Sequence, residues 1–143
     1  MPGLEALLKI RLVAEREAQR NLAMARAELE RLCVREREIH KQCRCVQEAV
    51  RRLESGPFDV REALAHRRYL NALRNRLAYV QGERIRAGER FEEKRRNFEK
   101  AKHEREAVER LIEVRRERER KERRRREERL LEDAVQRTWA GRV

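Results

Sequence analysis

The sequence predicts an all-α protein, a two-helix antiparallel coiled-coil hairpin followed by a C-terminal helical extension. Charged residues make up 46% of the 143 residues and aromatic residues only 4%, whereas an average globular domain is about one-quarter charged. Serine and threonine occur once each and proline twice, so few residues interrupt the good helix formers. Apolar residues recur in two long heptad repeats separated by one turn signal, a pattern that is typical of a coiled coil.

The first predicted helix covers about residues 4–54. Its heptad positions follow one another in alternating steps of three and four residues, and 12 of the 15 are apolar. These positions are Leu4, Leu8, Arg11, Glu15, Ala18, Leu22, Ala25, Leu29, Leu32, Glu36, Ile39, Cys43, Val46, Val50 and Leu53. An unbroken heptad repeat of this length predicts a left-handed supercoil.

A single turn, predicted over residues 55–59, ends this helix. Gly56 suits a left-handed C-terminal cap, and Pro57 cannot continue a helix. Asp59, followed three residues later by Glu62, is predicted to be the N-cap of a second helix. We expect this second helix over about residues 60–138.

The second helix repeats the heptad pattern, with 11 of 15 positions apolar. The positions are Ala63, His66, Leu70, Leu73, Leu77, Val80, Arg84, Ala87, Phe91, Lys94, Phe98, Ala101, Arg105, Val108 and Ile112. If the chain reverses near residue 57, residue i should face residue 114 minus i, and Leu4 should face residue 110. The two repeats then have matching lengths. This favours a single coiled-coil domain over residues 1–143, paired to about residue 112 and unpaired over 113–143.

The net charge of +12, from 39 Lys and Arg against 27 Asp and Glu, indicates an acidic partner. Nucleic acid, an anionic membrane and an acidic protein surface would all satisfy this charge. No apolar run is long enough to span a bilayer, and charged residues occur within the first ten positions. We therefore expect neither a transmembrane helix nor a signal peptide, and a cytoplasmic location.

The residue types also argue against catalysis and against a metal site. Cys33, Cys43 and Cys45 are odd in number and are not expected to form a disulfide framework. A zinc site formed with His40 is not expected, because Cys33 and His40 would lie about 10 Å apart on one helix. No phosphate-binding glycine loop and no nucleophile with a placed base occurs. We expect no enzyme activity, no metal and no cofactor.

The segment 113–143 has nothing to pair with in the first helix. Between Arg115 and Arg129 it has ten basic and five acidic residues and no apolar one, and its charges at i, i+4 spacing favour a solvated single helix. Leu130, Leu131, Ala134, Val135 and Trp139 then form an apolar tip. The tip is either a docking element or a frayed tail.

Two further groups of residues lie off the heptad positions. Leu7, Ile10, Leu12 and Val13 lie near the N-terminus and form either a locally wider core or a surface gripped by another protein. Tyr69 and Tyr79 project from the second helix with Arg76 between them. Exposed aromatic residues with an arginine are typical of binding hot spots, although the rings could also lie along the flank of the coiled coil.

Segments of both helices are similar to one protein family. The second-helix residues are Tyr69-Leu70-Asn71-Ala72-Leu73, Leu77, Gln81, Ala101-Lys102 and Val108-Glu109-Arg110-Leu111. The first-helix segment runs from Leu4 to Ala23 and includes Leu7, Leu8, Arg11, Glu15, Ala18 and Leu22. Together they resemble the flagellar export protein FliJ family over essentially the whole chain. The YscO-like stalk proteins of injectisomes have the same architecture and are the alternative.

The resemblance implies a non-enzymatic stalk, similar to the stalk subunit of rotary ATPases, that inserts by its terminal end into the hexameric type III export ATPase. It also implies contacts with the cytosolic domain of the export gate protein and with export chaperones. The location would be the cytoplasmic side of the inner membrane, reached only through partners. Residues expected to bind the gate are Tyr69, Leu73, Arg76 and Val80. Residues expected to bind the ATPase are Leu4, Leu7, Leu8, Leu130, Leu131, Val135 and Trp139.

Two other functions compete with this interpretation. The arginine-rich run could bind nucleic acid, but five interleaved glutamates reduce its net charge to +5, and no leucine zipper follows it. Binding of nucleic acid is therefore not expected. A generic scaffold coiled coil is the second alternative, which stable dimers or filaments and indifference to any ATPase would indicate.

Overall fold

The described residues form two long helices. The structure is a computed structural model that describes residues 2–57 and 59–141, so Phe58 of the predicted turn and the last two residues of the predicted extension lie outside it. Helix α1 is Pro2–Glu54 and helix α2 is Val60–Gly141, and no strand occurs in the described ranges. The prediction of an all-α two-helix hairpin with a C-terminal helical extension is confirmed.

The heptad positions coincide with the paired surface of the helices. At all 30 positions named above, the side chain is buried or half-buried. We call these positions the hairpin seam. They include charged residues such as Glu36 and Arg105, which shows that the period of the pattern, rather than the polarity of each residue, decides which side chains face the other helix.

The chain divides into two units, which we call the turn unit and the terminal unit. The turn unit is Glu17–Glu99, and the terminal unit combines Met1–Arg16 with Lys100–Val143. The main apolar core belongs to the turn unit and consists of Ile39, Cys43, Val46, Leu70, Leu73 and Val80, with Val50 and Leu77 packed against it. Each such side chain contributes about 1.5–3 kcal/mol when fully buried.

The terminal unit has much less apolar burial. Among its described residues Val108 alone is buried, at 5% exposure. From Arg116 to Gly141 every residue of α2 is exposed. This part of α2 is the C-terminal extension, a helix whose backbone hydrogen bonds are internal and whose side chains lie in water.

The turn between the helices is capped differently at its two ends. Glycine residues in the described ranges have no positive φ, so the predicted left-handed cap at Gly56 is wrong. The Ser55 hydroxyl instead donates to the Arg52 carbonyl oxygen at 2.9 Å, and the Ser55 amide donates to that of Arg51 at 3.2 Å. Asp59 is the N-cap of α2 as predicted, since its Oδ1 accepts from the Arg61 amide at 3.0 Å.

The register of the pairing differs from the symmetric expectation. Among residues of the hairpin seam, Glu15 contacts Arg105 in the terminal unit and Glu36 contacts Arg84 in the turn unit, and the residue numbers in each of these two pairs add to 120 rather than 114. A difference of six residues corresponds to roughly 9 Å along a helix. The connection therefore carries the chain past the end of α1 before α2 turns back, which explains why Val60 and Leu64 in the first turns of α2 are exposed.

Candidate functional site

A layer of ion pairs joins the two helices of the terminal unit. Arg105 donates from Nε to Glu15 Oε2 at 2.6 Å and from Nη2 to Glu15 Oε1 at 3.2 Å, and its Nη1 donates to Glu109 at 2.9 Å. Arg11 Nη1 donates to Glu104 Oε2 at 2.8 Å. A two-point arginine–carboxylate contact fixes orientation as well as adding attraction. This layer takes the place of an apolar core at this level of the unit.

The sequence pattern indicated only part of this layer. Arg11, Glu15 and Arg105 occupy seam positions, whereas Glu104 and Glu109 do not. Glu109 lies one helical turn after Arg105, the spacing at which opposite charges meet on a helix. This spacing is the one feature of the sequence that could have indicated the contact between Arg105 and Glu109.

The ion pair changes the acidity of both partners. Hydrogen bonding from the Arg105 guanidinium holds the pKa of Glu15 below its ordinary value, against the desolvation that raises it. The positive charges of Arg105, Lys102 and Arg16 lower that pKa further. In return, the hydrogen bonds that Arg105 donates to the Glu15 carboxylate raise the pKa of Arg105. Both groups are therefore charged throughout the ordinary pH range.

We expect Glu15→Gln to destabilise the hairpin at neutral pH and to remove part of its acid sensitivity. A carboxylate with a lowered pKa stabilises the folded state above the ordinary glutamate value of 4.5, and this contribution is lost as the pH falls through the folded pKa. Urea unfolding followed by circular dichroism at pH 7 and at a pH well below 4.5 measures the effect. The wild type and the variant should differ at neutral pH and converge in acid.

Glu17→Gln is the matched control, because Glu17 is an exposed residue of the same helix. We expect it to leave the stability nearly unchanged at both pH values. A loss for Glu15→Gln that is as large in acid as at neutral pH would contradict the role of the ion pair.

A groove lies between the helices of the terminal unit, next to the ion layer. Its apolar floor is formed by Leu8, Leu12 and Ile112, and its volume is about 780 Å³. The predicted ATPase-binding residues near the N-terminus, Leu4, Leu7 and Leu8, are all half-buried. Ile10 and Val13, which are apolar residues off the heptad positions and are not among the predicted ATPase-binding residues, are exposed. The three leucines are therefore partly covered within the terminal unit, and Leu8 also lines the groove.

The predicted apolar tip is fully open to water. Leu130 and Leu131 are 68% and 66% exposed, Val135 is 55% exposed and Trp139 is 70% exposed. The helix continues through the tip to Gly141, and the Thr138 hydroxyl donates to the Ala134 carbonyl oxygen at 2.8 Å. The tip is therefore an ordered apolar surface at the end of a charged helix.

The residues expected to bind the export gate are not brought together on one surface. Tyr69 is 51% exposed and Arg76 is also exposed, whereas Leu73 and Val80 are only 4% and 5% exposed and belong to the core of the turn unit. Tyr79 is exposed and lies three residues after Arg76. The accessible part of this region is the set Tyr69, Arg76 and Tyr79, which we call the tyrosine face.

The cysteines lie in three different environments. Cys43 is buried in the core of the turn unit, Cys33 is half-buried and Cys45 is exposed. Within residues 2–57 and 59–141, no group of three or more His, Cys, Asp or Glu side chains could hold a metal ion. Over the same residues, neither helix has a stretch long and apolar enough for a membrane span.

A comparison with protein-family models relates this architecture to a known family. The model described as flagellar FliJ protein matches residues 1–143, which is the whole chain. The comparisons with curated proteins and with solved structures gave no match. The family match extends over both helices, the turn and the extension, in agreement with the resemblance of the quoted segments. The chain belongs to the flagellar FliJ protein family.

Proposed function

We propose that the protein is a non-enzymatic stalk of the flagellar type III protein export apparatus, which inserts by its terminal unit into the hexameric export ATPase. There it promotes assembly and activity of the hexamer. Family membership associates the chain with flagellar protein export. The export ATPase as the partner, and the promotion of its assembly and activity, are our proposal. The observation that carries it is the exposed apolar tip at the end of an unpaired basic helix.

The chemistry of the extension supports insertion into a ring. Residues 116–141 form roughly 40 Å of helix with no partner in the hairpin. Burial of Leu130 and Leu131 in a partner would contribute about 1.5–3 kcal/mol each. This gain would favour binding of the tip to a partner over its exposure to water. The basic residues before the tip suit a passage lined by acidic side chains.

We further propose that the tyrosine face contacts the cytosolic domain of the export gate protein. Tyrosine and arginine are enriched at binding hot spots, and both are accessible here. Leu73 and Val80 would support this contact indirectly, because their packing in the core of the turn unit fixes the position of α2. Export chaperones are the remaining proposed partners. All these contacts place the protein at the cytoplasmic side of the inner membrane, attached through partners.

Stimulation of the export ATPase tests the insertion. The purified ATPase is assayed with the full-length chain, with a version truncated after Ile112, and with the full-length double variant Leu130→Ala/Leu131→Ala. We expect the truncation to abolish stimulation. The double variant should need roughly a hundredfold more protein for half-maximal stimulation, because it loses most of the burial of two leucines.

Gln136→Ala is the matched control for the double variant, because it changes an exposed polar residue of the same segment. It should stimulate like the wild type. Stimulation that survives truncation unchanged would show that the extension is not the part that acts on the ATPase.

A further inference from the structure

A third heptad repeat, made of exposed residues, runs along α2 from Leu111 to Trp139. From Leu111, steps of three and four residues lead through Val114, Arg118, Lys121, Arg125, Glu128, Glu132, Val135 and Trp139. All nine side chains are exposed. The repeat begins one residue before the hairpin seam position Ile112, so it faces a different direction from the pairing with α1. We call these nine residues the outer seam.

The order of residue types along the outer seam is complementary to its own reverse. Two apolar residues come first, then three basic, then two acidic, then two apolar. In an antiparallel coiled coil the two kinds of heptad core position face each other. Pairing residues whose numbers add to 253 places Val114 opposite Trp139, Lys121 opposite Glu132, and Arg125 opposite Glu128. Arg118 then faces Val135 and can cover it with its aliphatic stem.

We propose that two copies of this chain associate through antiparallel pairing of their outer seams. The contact is isologous, so each pair of residues occurs twice in the dimer. A parallel pairing in register would instead place Arg118, Lys121 and Arg125 against the same residues of the second copy, and like charges in contact are repulsive. The charge order therefore selects the antiparallel arrangement.

The apolar ends of the outer seam have a place to dock. A groove of about 280 Å³ is lined by Leu4 of α1 and by Leu111, Val114, Arg115 and Arg118 of α2. Leu111 and Val114 are 55% and 52% exposed. In the antiparallel dimer, Trp139 of one copy reaches this groove of the other copy. The association covers Val135 and Trp139, so that binding of the tip to a partner competes with binding of a second copy.

Sedimentation velocity of the purified full-length chain over a range of concentrations tests the dimer. We expect a reversible monomer–dimer equilibrium that weakens with added salt, because the central layers are exposed ion pairs. Trp139 is the only tryptophan, so its fluorescence reports directly on the docked end. Its emission should shift to shorter wavelength as dimer forms.

Charge reversal at Arg125 is the specific test of the pairing. Arg125→Glu places two carboxylates opposite each other at two symmetric points, and we expect the dissociation constant to rise about tenfold. On its own helix, Arg125→Glu gains Lys121 and Arg129 as favourable neighbours at i±4 spacing and loses Glu122 and Glu128 at i±3 spacing, so these local effects nearly cancel. The double variant Arg125→Glu/Glu128→Arg restores opposite charges and should recover wild-type association.

Arg123→Glu is the matched control, because it makes the same change in charge on the side of the helix away from the outer seam. It should leave the dimer unchanged, even though it loses Glu119 and Glu127 as favourable neighbours. A monomer mass at every concentration would overturn the proposal, as would equal effects of Arg123→Glu and Arg125→Glu or no recovery by the double variant. The measurements use the protein alone and do not depend on the ATPase.

Discussion

Alanine at Leu73 is expected to lower the free energy of unfolding of the hairpin by about 2–5 kcal/mol. Leu73 is 4% exposed and belongs to the core cluster of the turn unit with Ile39 and Val46. Truncation removes buried methyl groups and leaves a cavity that two helices can close only in part. Urea unfolding followed by circular dichroism measures the loss. Domains commonly have only 5–15 kcal/mol of stability in total, so the variant should be partly unfolded at physiological temperature.

Tyr69→Ala is the matched control, since Tyr69 lies one turn earlier on α2 and is exposed. A surface substitution of this kind usually changes stability by less than about 0.5 kcal/mol. The pair also separates two effects on the proposed contact with the gate. Tyr69→Ala should weaken binding of the gate domain without lowering the melting temperature, whereas Leu73→Ala should weaken it only through the loss of folded protein. Wild-type stability of Leu73→Ala would contradict the assigned core.

Charge reversal at Arg84 is expected to be the second most damaging change. Glu36 occupies a seam position with its side chain 15% exposed, and Arg84 Nε lies 2.6 Å from its Oε2. The Arg84 Nε hydrogen has no hydrogen-bond acceptor in this geometry, so the contact is an ion pair. Gln81 Nε2 donates to Glu36 Oε1 at 3.4 Å. Arg84→Glu would put a second carboxylate here, and we expect a loss of roughly 2–3 kcal/mol, below the 3–5 kcal/mol of a fully buried pair.

The double variant Glu36→Arg/Arg84→Glu should recover most of this loss, because it restores opposite charges at the same two positions. Arg86→Glu is the control, since Arg86 is exposed and pairs only with Glu83 on its own helix among the described contacts. Its cost should be about 0.5 kcal/mol. Thermal unfolding of the wild type, Arg84→Glu, the double variant and Arg86→Glu under one set of conditions measures these differences in stability. A double variant as unstable as Arg84→Glu would show that the pair is not the cause.

The seam could be predicted from the sequence residue by residue, but the register of the pairing could not. The period of three and four residues depends only on helix geometry, so even polar positions such as Arg11 and Glu36 were placed correctly. The register depends on the path of the turn. Six residues of offset arise there, and Ser55 rather than Gly56 closes α1. Turn geometry depends on backbone angles that the heptad pattern does not contain.

For the candidate site, two predictions from the sequence disagreed with each other. The heptad pattern placed Leu73 and Val80 in the seam, whereas the family resemblance placed them on the gate-binding surface. Both are buried, which agrees with the heptad pattern. The exposure of the tip followed from the missing partner for residues beyond 112. The contact of Glu104 could not be predicted, because it depends on how far a long side chain reaches from a position beside the seam, whereas the i, i+4 spacing to Arg105 indicates the contact of Glu109.

The ion layer of the terminal unit also has a consequence for the order in which contacts can form. Arg67 and Glu54 pair across the turn at a sequence separation of 13 residues, whereas Arg11 and Glu104 are separated by 93. Closing the longer loop first costs about 2 kcal/mol more chain entropy than closing the shorter one. Once the turn has closed, each later pair of residues closes only a short additional loop, so most of this entropy cost is avoided. We therefore expect the hairpin to form from the turn towards the terminal unit, whose ion layer closes last.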